Sequence, residues 1–133
     1  MSGVSNASSR QEPTEAVEVE LPAGKSFNAV GRLVAGGLAS RLDFAVPEIE
    51  DLQLAVEALL CRPAAEETLT VTMVPSDGGL EARFGPYARG EETASVERML
   101  EHLVGEAVVQ DSGEAEWILI GVPRQRATAR GSS

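Results

Sequence analysis

The chain has 133 residues, 43 % of them apolar, and a formal net charge of −10. That length suits one domain, and with one Trp, one Tyr and three Phe its core must be built mainly from Leu, Val, Ile and Ala. The acidic balance argues against a non-specific nucleic-acid binder, which needs Lys and Arg for phosphates, and against docking on an anionic membrane. It suits a basic partner surface or plain solubility.

Cys61 is the single cysteine, which excludes an internal disulfide. No apolar run approaches the roughly 20 residues of a membrane span, and residues 1–10 hold no apolar stretch of the signal-peptide kind. The expected location is the cytoplasm.

Residues 1–14 are Ser-rich and aperiodic and read as a disordered lead-in; residues 124–133 read as a disordered basic tail. Between them, 15–123 forms the domain. Ala16–Leu21 alternates apolar and acidic residues, the pattern of a half-buried strand. Ser26 is placed to cap a first helix whose apolar face is Phe27, Val30, Val34 and Leu38. Gly36 and Gly37 weaken that helix by about 1 kcal/mol each, and close packing against a neighbour is the expected compensation.

Pro47 opens a second helix, with Glu48, Glu50 and Asp51 at its positive end. Ile49, Leu52, Val56, Leu59 and Leu60 form its buried stripe, and Pro63 stops it. The period then falls to two. Leu69, Val71 and Met73, then Leu80, Ala82 and Phe84, make a hairpin around the turn Pro75–Gly79. Gly85–Gly90 reads as a loop. A third helix carries Val96, Met99, Leu100, Leu103 and Val104 on one face, with Gly105 as its C-terminal cap. Strands Ala107–Gln110 and Ala115–Val122 close the domain. The order β-α-α-β-β-α-β-β predicts an α+β two-layer sandwich: a mostly antiparallel five-stranded sheet with three helices on one face.

Three stretches carry a resemblance: Leu21–Leu42, the helix wording Ile49-Glu-Asp-Leu-Gln-Leu-Ala-Val-Glu-Ala58, and the hairpin ending in Phe84-Gly85. They resemble the anti-sigma regulatory factor or switch-kinase branch of the histidine-kinase-like ATPases, which have the Bergerat nucleotide fold. In that family a helix Glu serves as general base, and an Asn one turn later holds Mg²⁺. With a one-residue gap, Glu57 takes the base position and Cys61 the Asn position. Without the gap those positions hold Ala58 and Arg62. One residue turns a helix by about 100°, so the register decides which way Glu57 faces. Neither a thiol nor a guanidinium is the hard oxygen ligand that Mg²⁺ prefers.

The family's Asp-x-Gly-x-Gly adenine motif corresponds here to Phe84-Gly-Pro-Tyr-Ala-Arg-Gly90, which keeps glycines but has no Asp. Asp77-Gly78-Gly79 has the right letters but lies in the hairpin turn, one strand too early. The Gly-rich lid is shortened. The resemblance therefore assigns Glu57 a catalytic-base role, vestigial in this chain, and places Cys61, Gly85, Tyr87 and Gly90 beside the nucleotide.

Two readings follow from it. In the first, the chain is a regulatory protein that binds a protein partner, a sigma factor or an anti-anti-sigma-like regulator, with reduced or lost ATP binding and no cofactor. In the second, it is an active ATP/Mg-dependent anti-sigma factor serine/threonine kinase that uses Glu57 as base. A homodimer fits either. Tyr87 and Arg89 are the residue types that dominate interface hot spots and are the candidate partner contacts. Each has a plainer alternative. The plainer reading is the favoured one in each case: Glu57 as a solvated or half-buried helix carboxylate, Cys61 as a buried thiol, His102 as an exposed helix residue rather than a phospho-acceptor, and Glu48, Glu50 and Asp51 as an ordinary helix start. One His and one Cys make no zinc site.

Overall fold

The structure, a computed structural model, describes residues 16–24, 27–90 and 93–124. The segments expected to be disordered, apart from Arg124, and the proposed cap Ser26 lie outside the described residues. Within them the chain runs β1 (Val17–Pro22), α1 (Asn28–Arg41), α2 (Val46–Leu60), β2 (Thr68–Ser76), β3 (Gly79–Tyr87), α3 (Thr93–Val104), β4 (Glu106–Asp111) and β5 (Glu116–Pro123). The strands form one sheet in the order β1-β2-β3-β5-β4, antiparallel at every pairing. This is the element order and two-layer α+β architecture expected from the sequence.

The period-2 pattern sets which side of the sheet is dry. Leu21, Leu69, Val71, Met73, Leu80, Ala82, Phe84, Ile118, Ile120 and Val122 are buried with Leu52, Val56, Leu59 and Leu100 of the helices. The alternate positions Glu18, Glu20, Thr72, Glu81, Arg83, Leu119 and Val108 lie on the outer face. The β2–β3 turn is tighter than expected. Ser76 pairs with Gly79, leaving Asp77-Gly78 between them, with Gly78 at φ 87°. Gly105 ends α3 at φ 124°, as its capping role requires.

Helix α2 buries Leu52, Ala55, Val56, Leu59 and Leu60, with Ile49 packed beside them, close to the stripe read from spacing. Its start is held by Glu48, whose Oε1 accepts the Ala45 N–H at 2.7 Å. Helix α1 departs from expectation. Its buried positions are Gly31, Ala35, Leu38 and Ala39, while Phe27 and Val30 are exposed. The helix is turned by about one residue, or roughly 100°, relative to its apolar stripe. Small residues face α2 because α2 lies close. A Cβ at Gly31 would run into Leu60 Cδ1, and one at Gly36 into the Gln53 amide, whose Nε2 donates to Arg32 O at 3.0 Å. The packing expected for Gly37 is absent, since a Cβ there meets nothing within 4 Å.

The second departure concerns the expected loop at Gly85–Gly90. Its first half is strand. Gly85, Pro86 and Tyr87 finish β3 and are buried. After α2, residues 63–65 run alongside them: Ala65 N donates to Pro86 O and Ala88 N to Pro63 O, both at 3.0 Å, and Ala64 bridges Tyr87. The β3–β5 register shifts between Phe84 and Tyr87. That irregularity re-aims a side chain, as bulges do, and Tyr87 turns into the core. At the other end, Arg124 ties the chain after β5 to the body, its N–H bonding Gly78 O and its guanidinium Leu42 O.

Candidate functional site

The last turn of α2, the end of β3 and the starts of α3 and β5 converge on four polar side chains. Tyr87 is 0 % exposed, and its hydroxyl donates to Leu59 O at 2.6 Å. Burial pushes its pKa far above the ordinary phenol value, against the opposing pull of Arg62. The Arg62 guanidinium lies over the Tyr87 ring, 4.8 Å from the centroid, in cation–π geometry. Arg62 Nη2 reaches Thr93 Oγ1 at 3.4 Å, and that hydroxyl lies 2.8 Å from Glu116 Oε1 and 3.0 Å from Gly90 O. Glu116 is buried, while Arg62 Nε and Nη1 are buried without a hydrogen-bond partner.

Glu57 and Cys61 lie one turn apart on α2 and meet residues one turn apart on α1. Arg32 pairs with the Glu57 carboxylate at 3.5 Å with both side chains nearly half exposed, and Asn28 Nδ2 donates to the Cys61 sulfur at 3.1 Å. Cys61 is exposed, not a buried thiol. Both residues assigned to catalysis and metal by resemblance are thus engaged with the neighbouring helix.

The remaining candidates separate. Gly85 is held at the sheet, where a Cβ would come within 2.6 Å of the Trp117 ring. Gly90 is exposed and open. Arg89 is exposed and bonds the Asp111 carboxylate and Gly113 O. That bond raises the Arg89 pKa. On Asp111, Arg89 and then the Gly113 N–H lower the carboxyl below its usual value. Arg89 and Tyr87 therefore do not form one surface: Tyr87 has no exposed area to offer a partner, and Arg89 clamps the β4–β5 turn. His102 is exposed, its Nδ1 3.0 Å from Arg98 O. Among the described residues no group of three or more His, Cys, Asp or Glu could hold a metal ion, and no helix is long and apolar enough to cross a membrane.

Sequence reasoning did not find the Arg62–Thr93–Glu116 chain of contacts. One signal was available. Glu116 has the same strand parity as Ile118, Ile120 and Val122, so a carboxylate stood at a core position.

Five antiparallel strands under three helices define a two-layer α+β sandwich. The fold is similar to the crystal structure of the RsbU and RsbW domains of Rv1364c from Mycobacterium tuberculosis, with a TM-score of 0.69 at 17 % identity, covering 84 % of this chain and 33 % of that one. The chain spans about a third of that structure's length, and at this identity the likeness is one of fold. No family model and no curated protein matches the sequence.

Proposed function

We propose that this chain is a regulatory module that works by binding a protein, in the manner of an anti-sigma factor, with magnesium-ATP binding reduced or lost. The observation that carries this reading is the filled space at the end of α2. Where the resemblance calls for an adenine contact and a metal ligand, the Tyr87 ring is packed into the core with Arg62 laid over it.

The residue types agree. Cys61 and Arg62, the two residues that could stand at the metal-ligand position, offer sulfur and a cation where Mg²⁺ prefers oxygen. Glu57 is paired with Arg32 and so engaged with α1. No Asp lies between Phe84 and Gly90. These residues do not fit magnesium-bound ATP. The resemblance points to a sigma factor or an anti-anti-sigma-like regulator as the partner class.

Thermal unfolding with and without MgATP and MgADP tests the reading. A ligand that binds only the folded form at a hundredfold excess over its Kd stabilises by about 2.7 kcal/mol, a shift of many degrees for a domain this size. The expected result is no shift. A clear rise, matched by micromolar binding in calorimetry, would overturn the reading and favour a working kinase.

A further inference from the structure

We propose that the outer face of the sheet is a docking surface for a protein partner that presents a basic, aliphatic-faced helix. This rests on the protein-binding reading above and names the surface and the chemistry of the partner.

The strand register draws the surface. One row across the sheet runs Glu18, Thr72, Arg83, Leu119, Val108; the next runs Val74, Glu81, Gly121, Glu106. Because Gly121 has no side chain, the second row is interrupted between two carboxylates. The Glu106 side chain leans over that space, and a Cβ at Gly121 would sit 3.2 Å from its Oε1. The gap is part of a groove of about 410 Å³, lined also by Val74, Val108 and Leu119. Val108 is 56 % exposed although it stands in a strand. A groove with an aliphatic floor and carboxylates on both sides of a gap suits a helix with an aliphatic stripe whose Lys or Arg heads reach past it.

Charge selects among occupants. Glu18, Glu20, Glu81 and Glu106 lie on this face against Arg83, which is already engaged 3.9 Å over the Trp117 ring and with Gln110 Oε1 at 3.4 Å. A second copy would bring the same carboxylates together, and like charges across an interface are costly. Residues 125–133 of this chain are basic but contain no Leu, Val, Ile, Met or aromatic residue to cover Val108 and Leu119. A basic aliphatic segment of another protein satisfies both demands.

Trp117 is the single tryptophan and lies on this face beside the groove, beneath the groove-lining Arg83, so its emission follows occupancy through Arg83. The full chain is titrated with a tryptophan-free amphipathic helical Leu/Lys peptide and with its Leu/Glu counterpart. The Leu/Lys peptide should perturb Trp117 and bind, and the Leu/Glu peptide should not. Val108→Glu with Leu119→Glu should weaken binding by about tenfold or more, and Glu81→Gln with Glu106→Gln should weaken it and flatten its salt dependence. Reversing the charges, Glu81→Lys with Glu106→Lys, should move the preference toward the Leu/Glu peptide. Leu33→Glu on the helical face should change nothing.

Unaltered affinity in the Val108/Leu119 variant, or equal binding of both peptides, would overturn the proposal. So would a dimer in sedimentation that the Val108→Glu change dissociates, since a second copy would then be the occupant. Failure here leaves the nucleotide result standing, and a MgATP-induced rise in Tm with peptide binding intact would sink the proposed function while sparing the surface.

Discussion

Replacing Tyr87 with Phe should cost little at neutral pH and cost nothing, or even help, in alkali. The hydroxyl donates one hydrogen bond, to Leu59 O, and that carbonyl also accepts the Arg62 N–H at 3.2 Å. Because the carbonyl keeps a partner, the loss belongs at about 1 kcal/mol. The ring and its Arg62 contact survive in Phe. In the folded chain burial keeps the phenol neutral well above its usual range, whereas in the unfolded chain it ionises near pH 10. Its contribution to stability is therefore complete below about pH 10 and is lost as pH rises beyond, by about 1.4 kcal/mol for each full pH unit. At pH 11 the wild type should have lost about 1.4 kcal/mol that the Phe variant, with no phenol, retains. Urea unfolding followed through Trp117 at pH 7, 9, 10 and 11 reads this directly. The stability gap should close and then invert slightly. Tyr87 is the chain's one tyrosine, so tyrosinate absorbance gives an independent check. A constant gap across pH, or tyrosinate forming near pH 10 in the folded protein, would refute the placement of Tyr87 in the core.

Three further outcomes are expected. Gly37→Ala should stabilise by about 0.5–1 kcal/mol, because the position is helical and open; Gly36→Ala should not, since its methyl displaces Gln53, and paired thermal melts compare the two. Cys61→Asn should leave the melt insensitive to MgATP, because Tyr87 and Arg62 still fill the space beside it; a nucleotide-dependent rise in the variant alone would show that the missing Asn was the sole defect. Gly85→Ala should displace Trp117 from its contact at the sheet, shift its emission to the red and destabilise by roughly 1–3 kcal/mol, the range for overpacking; unchanged emission would contradict the close approach.

Much of the fold was legible because its signals are local. The acidic alternation of β1, the Leu–Val–Met stripe of β2 and the Pro47 start of α2 each show in a few neighbouring residues, and the element order follows. The helix wording Ile49–Ala58 pointed to the same sandwich that the fold likeness supports. The candidate site was less legible. Glu57 and Cys61 were singled out, but their partners Arg32 and Asn28 lie on another helix, and no spacing within α2 could name them. The α1 stripe misled for a related reason. Its larger apolar residues are regularly spaced, yet the neighbour is close enough that only Gly31 and Ala35 fit the contact.

By itself the sequence determined the secondary-structure order, the dry side of the sheet and the acidic character of the molecule, since each depends on residue type and short-range period. Tertiary structure alone decided that α1 turns its small residues inward, that a register shift carries Tyr87 into the core under Arg62, and that Glu81 and Glu106 flank Gly121 in one row of the sheet. Those outcomes depend on the distance between two helices and on the pairing of strands far apart in the chain, and both arise only once the whole domain packs.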